Sequence, residues 1–138
     1  TEDAEPFLRS CQDRFDALVI DACDERGVVE TFAKPESLIE SLGVVRGDGS
    51  LVLNLASDGG HAIPAWQLAS AMVDRGFNAT LYRPALGNEG NELLHVPASG
   101  PRPPVKIGSL SGRPKETWLY LSTLEAFVPH ETAPRDLS

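Results

Sequence analysis

The residues best placed to do chemistry are two carboxylates three positions apart, Asp21 and Asp24, directly after the apolar run Phe15-Asp16-Ala17-Leu18-Val19-Ile20. Neighbouring carboxylates attract an ammonium group. Their mutual repulsion raises the apparent pKa of the pair toward a value useful in proton transfer. The bland alternative is that Asp21 caps a loop or a helix terminus and Asp24 is solvated. Asp3, ahead of a helical pattern, is placed to accept a backbone N–H from a first turn. His61 beside Gly59-Gly60 reads as a surface histidine. His95 and His130 have no acid or nucleophile at telling spacing, so a Ser/His/Asp triad is not expected. Cys11 and Cys23 form no CxxC and lie near no histidine cluster, so neither a metal site nor a disulfide framework is indicated. Both read as small buried residues of a reducing compartment.

An acid ending a buried strand is positioned by the strand, so the elements come next. Apolar Phe7, Leu8 and Cys11 give a first helix within 2–14, with Pro6 tolerated in its early turns. The Phe15–Asp21 run has the composition of a strand buried on both faces of a parallel sheet. Residues 22–34 read as a loop. Pro35 opens a second helix with Leu38, Ile39 and Leu42 as its buried stripe and Gly43 as its cap. Residues 46–49, Arg-Gly-Asp-Gly, read as a turn, and 51–55 as the next strand. Pro64 starts a third helix, with Ala65, Leu68, Ala69, Met72 and Val73 inward and Gly76 closing it. Residues 77–82 and 92–96 read as strands joined by a turn over 88–91. The order α-β-α-β-α-β-β implies a mostly parallel α/β sheet with an antiparallel hairpin at its C-terminal edge.

Prolines 97, 101, 103, 104 and 114 mark a change of character, which divides the chain into a domain at 1–97 and a proline-rich arm at 98–138. Trp118, Leu121, Leu124, Phe127 and Val128 predict a short helix near the end of that arm. It would fold back on the domain or dock on another subunit. Trp66 and Trp118 read as packing residues of their helices.

Several of these segments resemble spermidine synthase-like proteins and, more widely, Rossmann-like S-adenosylmethionine-dependent methyltransferases. Phe15-Asp-Ala-Leu-Val-Ile-Asp21-Ala-Cys-Asp24 resembles the family's fourth strand and its Asp-x-x-Asp. Residues 1–4 resemble its Asp-Gly/Ala step, and Leu42 to Asn54 its helix-turn-strand element ending in Asn. Residues 91–94 resemble the last hairpin strand. The resemblance implies that Asp21 is the base that deprotonates an attacking amine and that Asp24 binds the cationic substrate. Asp3 and Ala4 would then lie against the adenine of S-adenosylmethionine or its decarboxylated form. Two departures matter. The first strand, the Gly-rich loop and the ribose-binding acid would precede Thr1, and that loop's N–H groups form the cofactor cradle. Glu25 stands where aminopropyltransferases carry proline after the second acid.

The resemblance therefore implies a truncated, methyltransferase-like pseudoenzyme: a structural subunit of a protein complex, with no cofactor of its own. Its partners would be other protein subunits, reached through an exposed sheet edge and the 98–138 arm. The alternative is the acceptor-side half of a methyltransferase or aminopropyltransferase. A chain of 138 residues has enough length for one core, and 41% hydrophobic with 23% charged residues is an ordinary globular composition. The net charge of −8 repels phosphate backbones and anionic lipid, so nucleic acid and membranes are poor partners. No apolar run approaches the ~20 residues that span a bilayer. Thr1 in place of Met, with no signal peptide after it, suits a processed product or a piece of a longer chain. The cytoplasm, an organelle matrix or a stroma is the expected compartment.

Overall fold

The computed structural model of the protein describes residues 3–24, 27–28, 30–55, 64–84, 91–99 and 124–127. In chain order the elements are α1 (Ala4–Ser10), β1 (Phe15–Ile20), β2 (Cys23–Asp24), β3 (Gly27–Val28), a 3-10 turn (Glu30–Ala33), α2 (Pro35–Leu42) and β4 (Val45–Leu55). There follow α3 (Ala65–Asp74), β5 (Thr80–Pro84), β6 (Glu92–Pro97) and β7 (Leu124–Phe127). This is a mixed α/β fold on a five-stranded sheet of order β1-β4-β6-β5-β7, with β2 and β3 forming a separate two-stranded ladder.

The sheet is not mostly parallel. Only β1–β4 is a parallel pair, whereas β4–β6, β6–β5 and β5–β7 are antiparallel. The strands joined through helices, β1, β4 and β5, do run in one direction, as crossover connections require. Strand β6 inserts between β4 and β5, so every neighbour beyond β4 is antiparallel. The expected terminal helix is also corrected. Leu124–Phe127 is a strand on β5, with Leu81 opposite Phe127 and Pro84 opposite Leu124. Four residues with apolar ends satisfy a helical spacing and a strand equally, and β5's unpaired N–H and C=O groups decide for the strand. Trp118, Leu121, Val128, His61, His130 and most of the proline-rich arm lie outside the described residues.

Cross-strand register explains the core. Ile20 faces Leu53, Leu53 faces Leu94, and Leu94 faces Leu81, a row across four strands in which every residue is at most 5% exposed. Cross-strand partners point to one face, so this face is sealed by the buried stripes of α2 (Leu38, Leu42) and α3 (Ala65, Leu68, Ala69, Met72). Each fully buried leucine contributes about 1.5–3 kcal/mol by leaving water. The 3-10 turn, inside a segment that reads as loop, adds Phe32 and Ala33 to this core. Gly76, with φ of +88°, closes α3 as expected.

The opposite face is different. Its row is Val19, Val52, His95 and Thr80, and exposure falls from 66% at Val19 to 7% at Thr80. Strand β1 was expected to be buried on both faces; instead it is the sheet's edge, with Phe15 38% exposed.

The Arg-Gly-Asp-Gly stretch is not a turn before β4 but an irregularity inside it. Phe15 pairs with Val45 and Ala17 with Ser50, so β4 carries extra residues there. Arg46 pairs with Asp16 across the irregularity at 2.9 Å. A Cβ on Gly49 would lie 2.5 Å from the Asp16 carbonyl oxygen, whereas one on Gly47 would meet nothing within 4 Å. Gly49→Ala should cost about 1–3 kcal/mol in urea unfolding, as overpacked sites do, while Gly47→Ala stays within about 0.5 kcal/mol. Equal effects would contradict the close approach.

A second prediction concerns acid stability. The Glu36 carboxyl, in the first turn of α2, is held below the usual glutamate range by a backbone hydrogen bond and then by Arg75. A depressed carboxylate stabilises the fold above its unfolded-state pKa, and that contribution fades as pH falls through the lower folded-state value. Glu36→Gln should therefore flatten the acid limb of the stability curve and leave it unchanged at the lowest pH. Parallel curves for the two proteins would contradict this.

Candidate functional site

Asp21 follows the last residue of β1, and Ile20 is level with Leu53, so the next residues along the parallel pair, Asp21 and Asn54, meet at the strands' carboxyl end. The Asn54 amide Nδ2 donates to Asp21 Oδ1 at 2.8 Å. This bond holds the exposed carboxylate in one orientation. The other amide atom, Asn54 Oδ1, is buried and accepts no hydrogen bond. An unsatisfied buried acceptor costs about 1–3 kcal/mol, so it marks a place where a donor would be favourable. The arrangement is an exposed, oriented carboxylate beside an amide oxygen shielded from solvent.

The other expected site residues lie on other elements. Asp24 lies in β2, opposite Gly27. Asp3 is the N-cap residue of α1, exposed, and makes no capping hydrogen bond through its side chain. Ala4 is the exposed first residue of that helix. Among the described residues no hydrogen bond or ion pair joins Asp3 to Asp21. An exposed carboxylate and an exposed methyl group do not by themselves fit an adenosyl group, which needs a cradle of backbone donors. Helix α1 packs along α2 instead, where Arg9 bridges Glu5 at 2.7 Å and Glu40 at 3.2 Å. Cys11, after α1, is half-buried and free.

Three polar pairs escaped sequence reasoning because only register brings their members together. A ring nitrogen of His95 lies 2.9 Å from Ser50 Oγ on the less covered face. Arg83 of β5 and Glu92 of β6 form a largely buried ion pair that clamps the two strands, with side chains 25% and 16% exposed. Arg46 and Asp16 are the third pair, 30 positions apart in the chain. Nothing in composition or local spacing could have found them. Asn54 was legible as the end of a strand but not as a partner of Asp21. Trp66 is partly buried against the core, as its helix implied.

Among the described residues no group of three or more His, Cys, Asp or Glu is placed to hold a metal ion, and no helix is long and apolar enough to cross a membrane. Compared with protein-family models, curated proteins and solved structures, the chain matches none.

The Asp21–Asn54 contact makes its own prediction. Asn54→Asp sets two carboxylates within hydrogen-bonding distance, and the pair cannot hold both charges cheaply. Proton uptake by the folded pair then occurs above the ordinary carboxylate range. The loss of stability should be about 1–3 kcal/mol at pH 7 and shrink as pH falls below about 4. Chemical unfolding of the variant and the parent at several pH values checks this. A pH-independent difference would show that the side chains do not meet.

Proposed function

We propose that this chain is a non-catalytic, methyltransferase-like structural module that presents the edge of β1, with the face beside it, to other protein in an assembly. The observation that carries the reading is β1 itself. A strand composed for a sheet interior stands at the sheet edge with Val19 66% exposed. Unpaired N–H and C=O groups beside exposed apolar side chains form a surface that other protein covers favourably.

The methyltransferase type is supported by element order: helix-linked strands running one way, then a hairpin whose last strand enters the sheet against β4. The resemblance of 15–24 and 42–54 to spermidine synthase-like segments points the same way. The reading assigns the chain no cofactor of its own and places it in an aqueous intracellular compartment, the cytoplasm or an organelle matrix or stroma. Within the 98–138 arm, Leu124–Phe127 joins the domain's own sheet, and the rest of the arm is the proposed second contact.

A second reading is favoured by one observation, the carboxylate of Asp21 beside the unsatisfied acceptor of Asn54. It makes the chain the acceptor-side half of a methyltransferase or aminopropyltransferase. Asp21 would accept the proton of an attacking amine, Asp24 would bind the cationic substrate, and Asp3 and Ala4 would touch S-adenosylmethionine supported elsewhere.

Calorimetry of the chain with S-adenosylmethionine at millimolar concentration separates the two. The structural reading expects no binding heat; saturable binding lost in Asp3→Asn would favour the enzyme. The interface has its own check. Val19→Lys should leave thermal unfolding unchanged, because the side chain is mostly in water, and should abolish association with an extended peptide of alternating apolar residues in fluorescence anisotropy. Unchanged association would remove β1 as the contact.

A further inference from the structure

The two sides of the sheet are not protected alike. Natural edges are blunted by lysine, proline, inward charges or bulges. The far edge strand, β7, carries Glu125 at its second position. The stretch Ala17-Leu18-Val19-Ile20 of β1 has no charge, proline or glycine, and it is the part in regular register with β4. Such an edge is composed to accept another strand.

Charge narrows what that strand carries. Residues 13–21 hold three carboxylates, Asp13, Asp16 and Asp21, against one cation, Arg14. Asp16 is opposed by Arg46 at 2.9 Å. The Arg14 guanidinium donates to the carbonyls of Gln12 and Asp13 at 3.1 and 3.0 Å, at the amino end of the strand. At the carboxyl end Asp21 is exposed and accepts a hydrogen bond from the neutral Asn54 amide, which orients the charge without cancelling it. The whole chain is at −8. A strand laid along β1 therefore meets an apolar centre and then an uncompensated anion.

We propose that β1 binds an extended polypeptide strand by β-augmentation, with apolar side chains at alternate positions over Ala17 and Val19 and a lysine or arginine beside Asp21. The main-chain ladder supplies affinity, the alternate apolar side chains set the face, and the terminal cation sets the register. The inference rests on the reading of β1 as an interface and adds the chemistry of its partner.

The test uses the full chain and two fluorescein-labelled ten-residue peptides that alternate valine and threonine. One ends in lysines and the other in glutamates. Fluorescence anisotropy should show the lysine peptide binding about tenfold tighter at low salt, with the preference shrinking as salt rises. Asp21→Asn should narrow the difference, and Val19→Lys should weaken the lysine peptide most. Equal binding of both peptides would leave the edge standing and overturn the charge assignment. Binding of neither, or binding indifferent to Val19→Lys, would overturn the interface reading as well. A second copy of the chain that excludes both peptides would make the occupant the protein itself, and the proposal would be wrong.

Discussion

Strand β6 lies between two strands that run the opposite way, and most of the fold depends on that insertion. Helix α3 returns the chain so that β5 has the direction of β4, yet the two are not neighbours. The gap is filled by β6, whose antiparallel ladders on both sides align Leu53, Leu94 and Leu81 in one buried row. Without β6 the helices would cover a sheet split in two. The Arg83–Glu92 pair holds the same hairpin at its closing end, where the desolvation of two charges is offset by contact between them. The most deeply buried residues of the sheet, Leu51, Leu53, Leu55, Leu94 and Val96, therefore lie on this strand and on β4 beside it.

What was legible in the sequence follows from range. Helices α2 and α3 could be read from the 3.6-residue stripes Leu38–Leu42 and Ala65–Met72, because the pattern and the proline and glycine that bound them are local. Strand positions were legible too, from apolar runs. Pairing was not. Periodicity says nothing about whether the strand after a crossover lies beside β4 or one place further away, so the sheet read as mostly parallel. Four residues at 124–127 are too few for a period to distinguish helix from strand, and an unpaired ladder on β5 settled what propensity could not. The glycines at 47 and 49 look alike in sequence, yet only one faces the backbone of β1.

The candidate site divides in the same way. Asp21 at the end of β1 was readable, since a carboxylate ending an apolar run has a predictable place in an α/β sheet. Its partnership with Asn54 was not, because 33 positions separate them and only the parallel register joins them. The unfilled acceptor on Asn54 is a consequence of that geometry: the amide can turn only one end to the carboxylate, and the other end is left in the sheet's interior. Asp3 and Ala4 show the reverse case. Their order relative to a helix was read correctly, but order does not bring them to Asp21.

Strand β1 joins these arguments. Its alternation puts Leu18 and Ile20 toward the helices and Ala17 and Val19 outward, so it meets the demands of one core and remains apolar on the side that this core does not use. A solvated edge of a stable monomer would gain solubility from a lysine at position 19 at no cost in packing, since that side chain touches little. Valine there suits the strand by its β-branching, and on the proposed reading a partner would cover it. Phe15, at the start of the strand, likewise keeps 38% of its surface in contact with water. On the proposed reading both residues would lie beside a strand that continues the sheet past β1, with the charge of Asp21, held by the Asn54 amide, at its end.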